Sequence, residues 1–356
     1  MDKEKWSWQK PGTIWKGAGL YHITLTIPSR KPLLGELIIP DNDPANAVVK
    51  ALPLGRLVLE YQRAVSIHYP EIQILHYCLM PDHIHAVWYV RQKMPRSIKQ
   101  AVRGFWQGAK KAGRAWGMMD GNKIAGETTK KGDSNIPYIT KEVADTLSNV
   151  VGRDLYGQLD PVFTDIPFIR TMGHHRQLPA TIRYIDMNPQ RLATRKLKPG
   201  YFCVQRDIEI SGRIYSGVGN AAILTEDRYM PVHVRWTMID EARHGDDRRL
   251  KEYMSACMQA AREGAVMVSP FISPEEKQIQ AMLLEEGLPF ICIADNGFGE
   301  YYKPADGLFD AVAAGKVMIL SPWEYDPQKM HVTRTECVAM NKMAEEICEE
   351  LAGMPY

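Results

Sequence analysis

Apolar and polar positions along the first half of the chain follow two periods. Residues 20–27 are rich in β-branched and aromatic side chains and predict a strand; 33–39 predict a second. Residues 40–46 read as a loop. Over 54–68, Leu57, Leu59, Tyr61, Val65 and Ile67 give the broad apolar face of a helix. Two runs, 71–80 and 83–90, flank Pro81-Asp82 and predict a pair of strands joined by a tight turn. The clearest helix covers 96–116, where Ile98, Val102, Phe105, Ala109, Ala112 and Trp116 recur at spacings of four and three. Residues 117–160 have weak periodicity and read as a long insertion with a short helix near 141–148. A helix over 177–188 is expected to stop at Asn188-Pro189, because the residue before a proline avoids helical geometry.

Beyond about 200 the pattern changes. Residues 204–227 look like a β-rich connector. After them strands at 230–236, 265–271, 288–294 and 316–322 alternate with helices at 239–263, from Ser273, at 305–314 and at 335–352. Ser273-Pro274-Glu275-Glu276 has the spacing of a capping box with proline in the first turn. Continuous apolar strands between helices imply a parallel sheet covered on both faces, so 228–356 is expected to be an α/β Rossmann-like domain.

Length agrees with two domains: 356 residues at about 150 per domain. The formal net charge of +2 argues against a nucleic-acid partner until it is divided. Residues 1–200 hold 29 Lys and Arg against 17 Asp and Glu, a net +12; residues 201–356 hold 15 against 25, a net −10. A polyanion partner is therefore expected for the first half. The six cysteines show no CxxC pair and read as reduced thiols, which gives a zinc-cysteine site no support. No apolar run is long enough for a membrane helix, and the charged N-terminus lacks a signal core. The expected location is cytoplasmic.

Two patterns could carry chemistry. His83-Ile84-His85 places two imidazoles on one face of a strand, where they could grip a divalent metal; taken alone, the motif is more simply two surface or core histidines of a strand. Tyr184 and Asn188, at i and i+4, share a helix face; a packed tyrosine and a terminal Asn cap fit that pattern too. On the helix over 96–116, Arg96, Lys99, Arg103, Lys110 and Arg114 lie away from the apolar stripe. Between 91 and 131 there are 11 basic residues and only Asp120 and Glu127, so the acidic partners of an ordinary solvated face are missing.

Taken in order, Tyr77-Cys78-Leu79-Met80-Pro81-Asp82-His83-Ile84-His85 and, about a hundred residues on, Tyr184-Ile185-Asp186-Met187-Asn188-Pro189 resemble the single-tyrosine HUH transposases, in the style of the REP-associated tyrosine transposases. Tyr21-His22-Ile23-Thr24, Pro161-Val162-Phe163-Thr164-Asp165 and Gln190-Arg191-Leu192 agree. The resemblance covers roughly 15–203. It implies an α+β ferredoxin-like HUH domain over 1–203 that cuts and rejoins hairpin-bearing single-stranded DNA. By the same resemblance His83, His85 and Asn188 would bind Mg²⁺ or Mn²⁺, and Tyr184 would be the nucleophile forming a 5′-phosphotyrosine. A homodimer would couple two cleavages, with Tyr184 serving its own or its partner's metal site. Asp82 stands where many relatives have Asn, and either completes the turn or supports the metal. The cations of 96–114, with Lys111 and then Lys123, Lys130 and Lys131, become candidates for the DNA backbone, and nucleoid association follows.

The runs at 268–277, 291–304 and 315–322 resemble Rossmann-like domains of the DNA-processing-protein-A type. Ligands bind beyond the carboxyl ends of such strands, which nominates Ser269, Asn296, Gly297 and Lys303. No GxGxxG is present, so a dinucleotide is not expected. Two other functions stay open at this point: a domesticated DNA-binding or regulatory protein with little turnover, and a nucleotide-sensing or nucleotide-processing protein built on the second domain.

Overall fold

The period-two pattern of 20–27 becomes strand β1 (Gly19–Thr26): Tyr21, Ile23 and Leu25 are buried, while His22, Thr24 and Thr26 alternate to the other face. The computed structural model describes residues 17–118, 163–164, 167–173 and 177–353, leaving aside the side chains of 110–118. The insertion expected over 117–160 lies outside the described residues, apart from the last helical positions before it. The chain forms two compact units, Met1–Ala193 and Thr194–Tyr356.

In the first unit, β1 is followed by β2 (Gly35–Ile38), β3 (Val48–Ala51), α1 (Pro53–His68), β4 (Ile72–Leu79), β5 (His83–Val90), α2 (Ile98–Met118), β6 (Phe168–Met172), α3 (Gln177–Asp186) and α4 (Asn188–Leu197). One antiparallel sheet has the order β4-β5-β1-β6, and β2 pairs with β3 in a small hairpin. Along the main sheet the connectivity is β-α-β-β-α-β. One sheet face is the core: Ile23, Leu25, Ile84, Ala86 and Trp88 pack against Leu54, Val58 and Val65 of α1 and Ile98, Val102, Phe105 and Ala109 of α2. Trp88 and Phe105 meet at 5.9 Å between ring centroids. Burial of each such side chain contributes about 1.5–3 kcal/mol, so this layer fixes where both helices sit.

Two strands depart from the sequence reading. Neither β3 nor β6 had an expected element. Both are short and half exposed, and Lys50 and Arg170 interrupt their apolar positions. The helix expected over 177–188 ends at Asp186; after Met187 a second helix starts at Asn188, with Pro189 in its first turn, where a missing N–H costs nothing. Backbone bonds from Met187 to Arg183 (3.0 Å) and from Arg191 to Met187 (2.9 Å) carry the chain through the break.

The second unit has β7 (Gln205–Ile210), β8 (Arg213–Gly219), β9 (Tyr229–Pro231), α5 (Trp236–Arg243), α6 (Arg248–Arg262), β10 (Val266–Ser269), α7 (Pro274–Glu286), β11 (Phe290–Ile293), α8 (Asp306–Ala313), β12 (Val317–Ser321) and α9 (Arg334–Gly353). Its sheet runs β7-β8-β12-β11-β10-β9. Strands β9 to β12 are parallel, but β8 joins β12 antiparallel and brings β7 with it. The sheet is thus mixed, not parallel throughout, and residues 204–227 supply two of its strands instead of a free connector. The helix expected over 239–263 is two helices, broken where Gly245 takes a φ of 97°.

Right-handed crossovers between strands laid down in sequence order put their helices on one face. Cys257, Met258, Ala261, Ile279, Leu283, Phe309 and Val312, from α6, α7 and α8, accordingly pack with Met267, Phe290 and Ile319. The alternate residues Val266, Val268, Ile291, Ile293, Met318 and Leu320 face Met340, Ile347 and Leu351 of α9. This double cover explains why these strands read as continuous apolar runs. The Ser273–Glu276 capping box forms as its spacing predicts, and Gly287 closes α7 in a left-handed conformation.

Candidate active site

Register decides which side chains share the sheet face opposite α1 and α2. Thr24 stands across from His85, Thr26 from His83, and His22 from Val87. Cys78 stands across from His85 on the other flank, and Arg170 across from His22. Since alternate positions are core, His22, Thr24, His83 and His85 all emerge on the second face. Helix α3 lies against it: Ile185 is buried, and the Tyr184 ring sits edge-on at 5.7 Å from the His85 ring and 6.4 Å from the His22 ring. The histidine pair and the tyrosine, a hundred residues apart in sequence, therefore meet within one chain.

The imidazoles are held at specific nitrogens. His83 Nε2 and His85 Nε2 lie 3.1 Å apart. Asp82 Oδ1 is 2.6 Å from His83 Nδ1. A carboxylate can only accept, so Nδ1 donates, and in the neutral ring the lone pair then sits on Nε2. His85 Nδ1 is 2.8 Å from Thr24 Oγ1 and 3.1 Å from His22 Nε2, which leaves its Nε2 directed at His83. Asp82, read in the sequence as completing the turn or supporting the metal, thus touches the histidine cluster directly.

Charge is arranged around this cluster. Burial, aided by the positive charge of Arg170, pushes His22 down to about 4, so it is neutral near pH 7. Burial works to raise the Asp82 carboxyl, but its hydrogen bond to His83 and the nearby charges of His83 and Arg30 outweigh that and hold it low. Arg30 Nη1 lies 3.4 Å from both Asp82 Oδ2 and His83 Nδ1. Arg30 and Ser29 both adopt left-handed backbone, with φ of 53° and 55°. Such backbone costs on the order of 1 kcal/mol per residue and recurs at functional loops. Nothing in the sequence marked Arg30; His22 and Thr24 had a trace in the Tyr21–Thr24 motif.

Among the described residues, no group of three or more His, Cys, Asp and Glu side chains could hold a metal ion. The site offers two imidazoles whose Nε2 spacing suits one ion: ligands at right angles on bonds of about 2.1 Å lie about 3 Å apart. Remaining positions would fall to an amide, water or phosphate oxygens. Asn188 is buried at the first residue of α4, two residues past the end of the Tyr184 helix.

The structure does not bring the basic helix to this cluster. Arg96 and Arg103 are exposed and Lys99 is half-buried, its ammonium pKa lowered by that burial. Lys99 and Arg103 belong to α2, which packs on the opposite sheet face, and Arg96 lies two residues before it. Lys110, Lys111 and Arg114 lie outside the described side chains, and Lys123, Lys130 and Lys131 outside the described residues.

The nominated residues of the second unit have internal roles. The buried Ser269 Oγ accepts from Phe271 N at 3.0 Å. Asn296 ties two loops together, donating to Asp326 O at 2.8 Å and accepting from Asp326 N at 2.9 Å. A Cβ at Gly297 would come 2.4 Å from Tyr325 N. Lys303 Nζ stands 5.9 Å from the Phe309 ring centroid. At the β10–α7 junction, where a nucleotide phosphate binds in such sheets, the buried Glu276 carboxylate already accepts from Val234 N, Ile272 N and Ser273 N at 3.0–3.1 Å. Those three backbone donors are taken by the chain itself.

No helix among the described residues is long and apolar enough to cross a membrane. No protein-family model and no curated protein matches the chain. A solved structure described as the REP-associated tyrosine transposase bound to a REP hairpin is similar over 51% of this chain and 72% of that one, with 10% identity and a TM-score of 0.28. A likeness at that level leaves the site to be argued from this chain's own residues.

Proposed function

We propose that the first unit is a metal-dependent endonuclease and strand transferase for hairpin-bearing single-stranded DNA, with the ferredoxin-like HUH fold and Tyr184 as nucleophile. The observation that carries this reading is the convergence of Tyr184 on His85 and of His83 Nε2 on His85 Nε2, on one sheet face of one chain. The β-α-β-β-α-β connectivity and the ordered motifs support it.

In this reading His83 and His85, with Asn188, hold Mg²⁺ or Mn²⁺, which when bound polarises the scissile phosphate and offsets its developing charge. Asp82 fixes the His83 tautomer that such binding requires, and Thr24 holds the His85 ring in place. The Tyr184 oxygen attacks phosphorus as its phenolic proton leaves to solvent. The bond to the 3′-oxygen breaks and that oxygen takes a proton from solvent, giving a 5′-phosphotyrosine and a free 3′-hydroxyl. The ester keeps the bond energy, so a 3′-hydroxyl can reverse the step without a nucleotide. Tyr184 serves the histidines of its own chain, and a second copy would supply the second cleavage. Arg30 and Arg170 flank the site and are placed to meet phosphate; the α2 cations, across the sheet, would hold DNA away from the scissile bond.

The test incubates the protein with labelled hairpin-bearing single-stranded DNA and Mn²⁺ and looks for a denaturant-stable adduct. The adduct forms with the wild type and is lost in Tyr184→Phe and in His83→Ala. An adduct that persists in Tyr184→Phe overturns the assignment of the nucleophile.

A further inference from the structure

We infer that His76 and Asp186 are a positioning pair that holds the tyrosine helix against the histidine face; the inference rests on the reading of Tyr184 as nucleophile. His76 Nε2 lies 2.6 Å from Asp186 Oδ1, joining edge strand β4 to the last residue of α3 across 110 positions of sequence. Asp186 is two residues from Tyr184, so this contact acts at the turn of helix that carries the phenol.

Two observations show that the pairing is built, not incidental. The first is a β-bulge. Ile74 stands across from Trp88, but His76 stands across from Val87, so Leu75 is an extra residue. Without it His76 would stand across from Ala86, on the core face. The bulge moves His76 to the face of His85, as bulges beside functional sites re-aim side chains. The second is the place of Asp186. A carboxylate at the end of α3 opposes the dipole of that helix while the start of α4 two residues on favours it, so the two dipoles together do not account for an acid there. Its charge also reaches the sheet: after burial, Asp186 is the second cause that pushes the Cys78 thiol up to about 12.

Helix α3 has 10 residues, too few to hold its own position in water. Among its anchors are the buried Ile185, the ring contacts of Tyr184, the bond from Gly173 N to Gln177 Oε1 and this pair. The pair is partly exposed, with 29% of the His76 side chain and 55% of the Asp186 side chain accessible. Exposed ion pairs contribute little to global stability. The pair therefore acts on where the phenol stands, and its loss leaves the unfolding temperature nearly unchanged.

The experiment compares the full-length wild type with His76→Ala, Asp186→Asn, the double variant and the swap of His76→Asp with Asp186→His. Three quantities are read: the single-turnover rate of adduct formation at saturating hairpin DNA with Mn²⁺, the Kd for that DNA, and hydrogen exchange of the amides of 177–187. Each single variant slows adduct formation about 10- to 100-fold, the cost of misplacing a reacting group by about 1 Å. The double variant is no slower than the singles, the swap recovers most of the rate, and Kd does not change. Exchange over 177–187 quickens in the singles while β4 and β5 keep their protection. Unaltered exchange over 177–187 overturns the tether. Quickened exchange with an unaltered adduct rate overturns its role in positioning. A wild type that forms no adduct refutes the transferase reading, and the exchange data alone then decide whether the pair holds the helix.

Discussion

Asp82 Oδ1 stands 2.6 Å from His83 Nδ1, and this one contact selects which nitrogen of the imidazole is free to bind a metal. A neutral imidazole has one donor and one acceptor nitrogen, so the carboxylate turns the acceptor, Nε2, toward His85. Removal of such supporting partners lowers metal affinity about 10- to 100-fold. Asp82→Ala is expected to weaken Mn²⁺ binding in that range by calorimetric titration, with the fold intact by circular dichroism. Equal Mn²⁺ affinity in the variant would return Asp82 to the role of a turn residue.

A pH dependence is built into the second unit at Glu336. The Lys329 ammonium at 2.7 Å is the main cause holding its carboxyl down to about 2, with Thr333 N at 2.7 Å and Thr333 Oγ1 at 2.8 Å also donating. The ordinary value is 4.5, so between pH 4.5 and 2 the unfolded chain binds more protons than the folded one. The contribution is complete above pH 4.5 and is lost as pH falls toward 2. Thermal unfolding of Glu336→Gln should show a lower Tm than wild type at pH 7 and a smaller gap at pH 2.5. A gap of constant size across that window would show that the carboxylate is not held.

Gly297 separates a packing role from a ligand role. A methyl there would meet backbone atoms of residues 323–325, 2.4 Å away at the Tyr325 nitrogen. Backbone cannot yield as a side-chain tip does, and overpacking of this kind costs about 1–3 kcal/mol. Gly297→Ala is expected to lower the stability of the second unit by that amount in urea titration and leave adduct formation by the first unit unchanged. Unchanged stability would free Gly297 for another role.

Much of this was legible in the residues, for reasons that differ by element. Helix 53–68, the part of α2 over 98–109 and the strands at 266–269, 290–293 and 317–321 bury strongly periodic or continuous apolar faces, and the sequence displays those directly. The tyrosine and the histidine pair were connected by their ordered motifs, since no local pattern joins residues a hundred positions apart. β3 and β6 were missed because half-exposed short strands carry little apolar signal. The bulge at Leu75 left a trace, a slip in the alternation from Ile72 and Ile74 to Tyr77 and Leu79. The place of the basic helix could not be read at all. Its charges are visible in the sequence, but the sheet face it packs on depends on handedness and register.

That placement leads to the sharpest division of labour. Arg96, Lys99 and Arg103 lie with α2 across the sheet from Tyr184, whereas Arg30 lies 3.4 Å from His83 Nδ1. Each phosphate neutralised on a single strand contributes about 0.7 to the slope of log affinity against log salt. A triple change of the α2 residues to Gln should therefore reduce that slope by about two. At saturating DNA the single-turnover rate should stay at the wild-type value, because those cations do not approach the reacting phosphate. Arg30→Ala should do the reverse, changing the slope by less than one while slowing adduct formation about 10-fold or more, as for loss of one charged group beside the developing charge. Affinity measured at several salt concentrations, together with single-turnover kinetics, checks both. A triple variant that binds as wild type but cleaves slowly would mean that the DNA reaches the tyrosine by way of α2, and the separation of binding from chemistry by the sheet would fall.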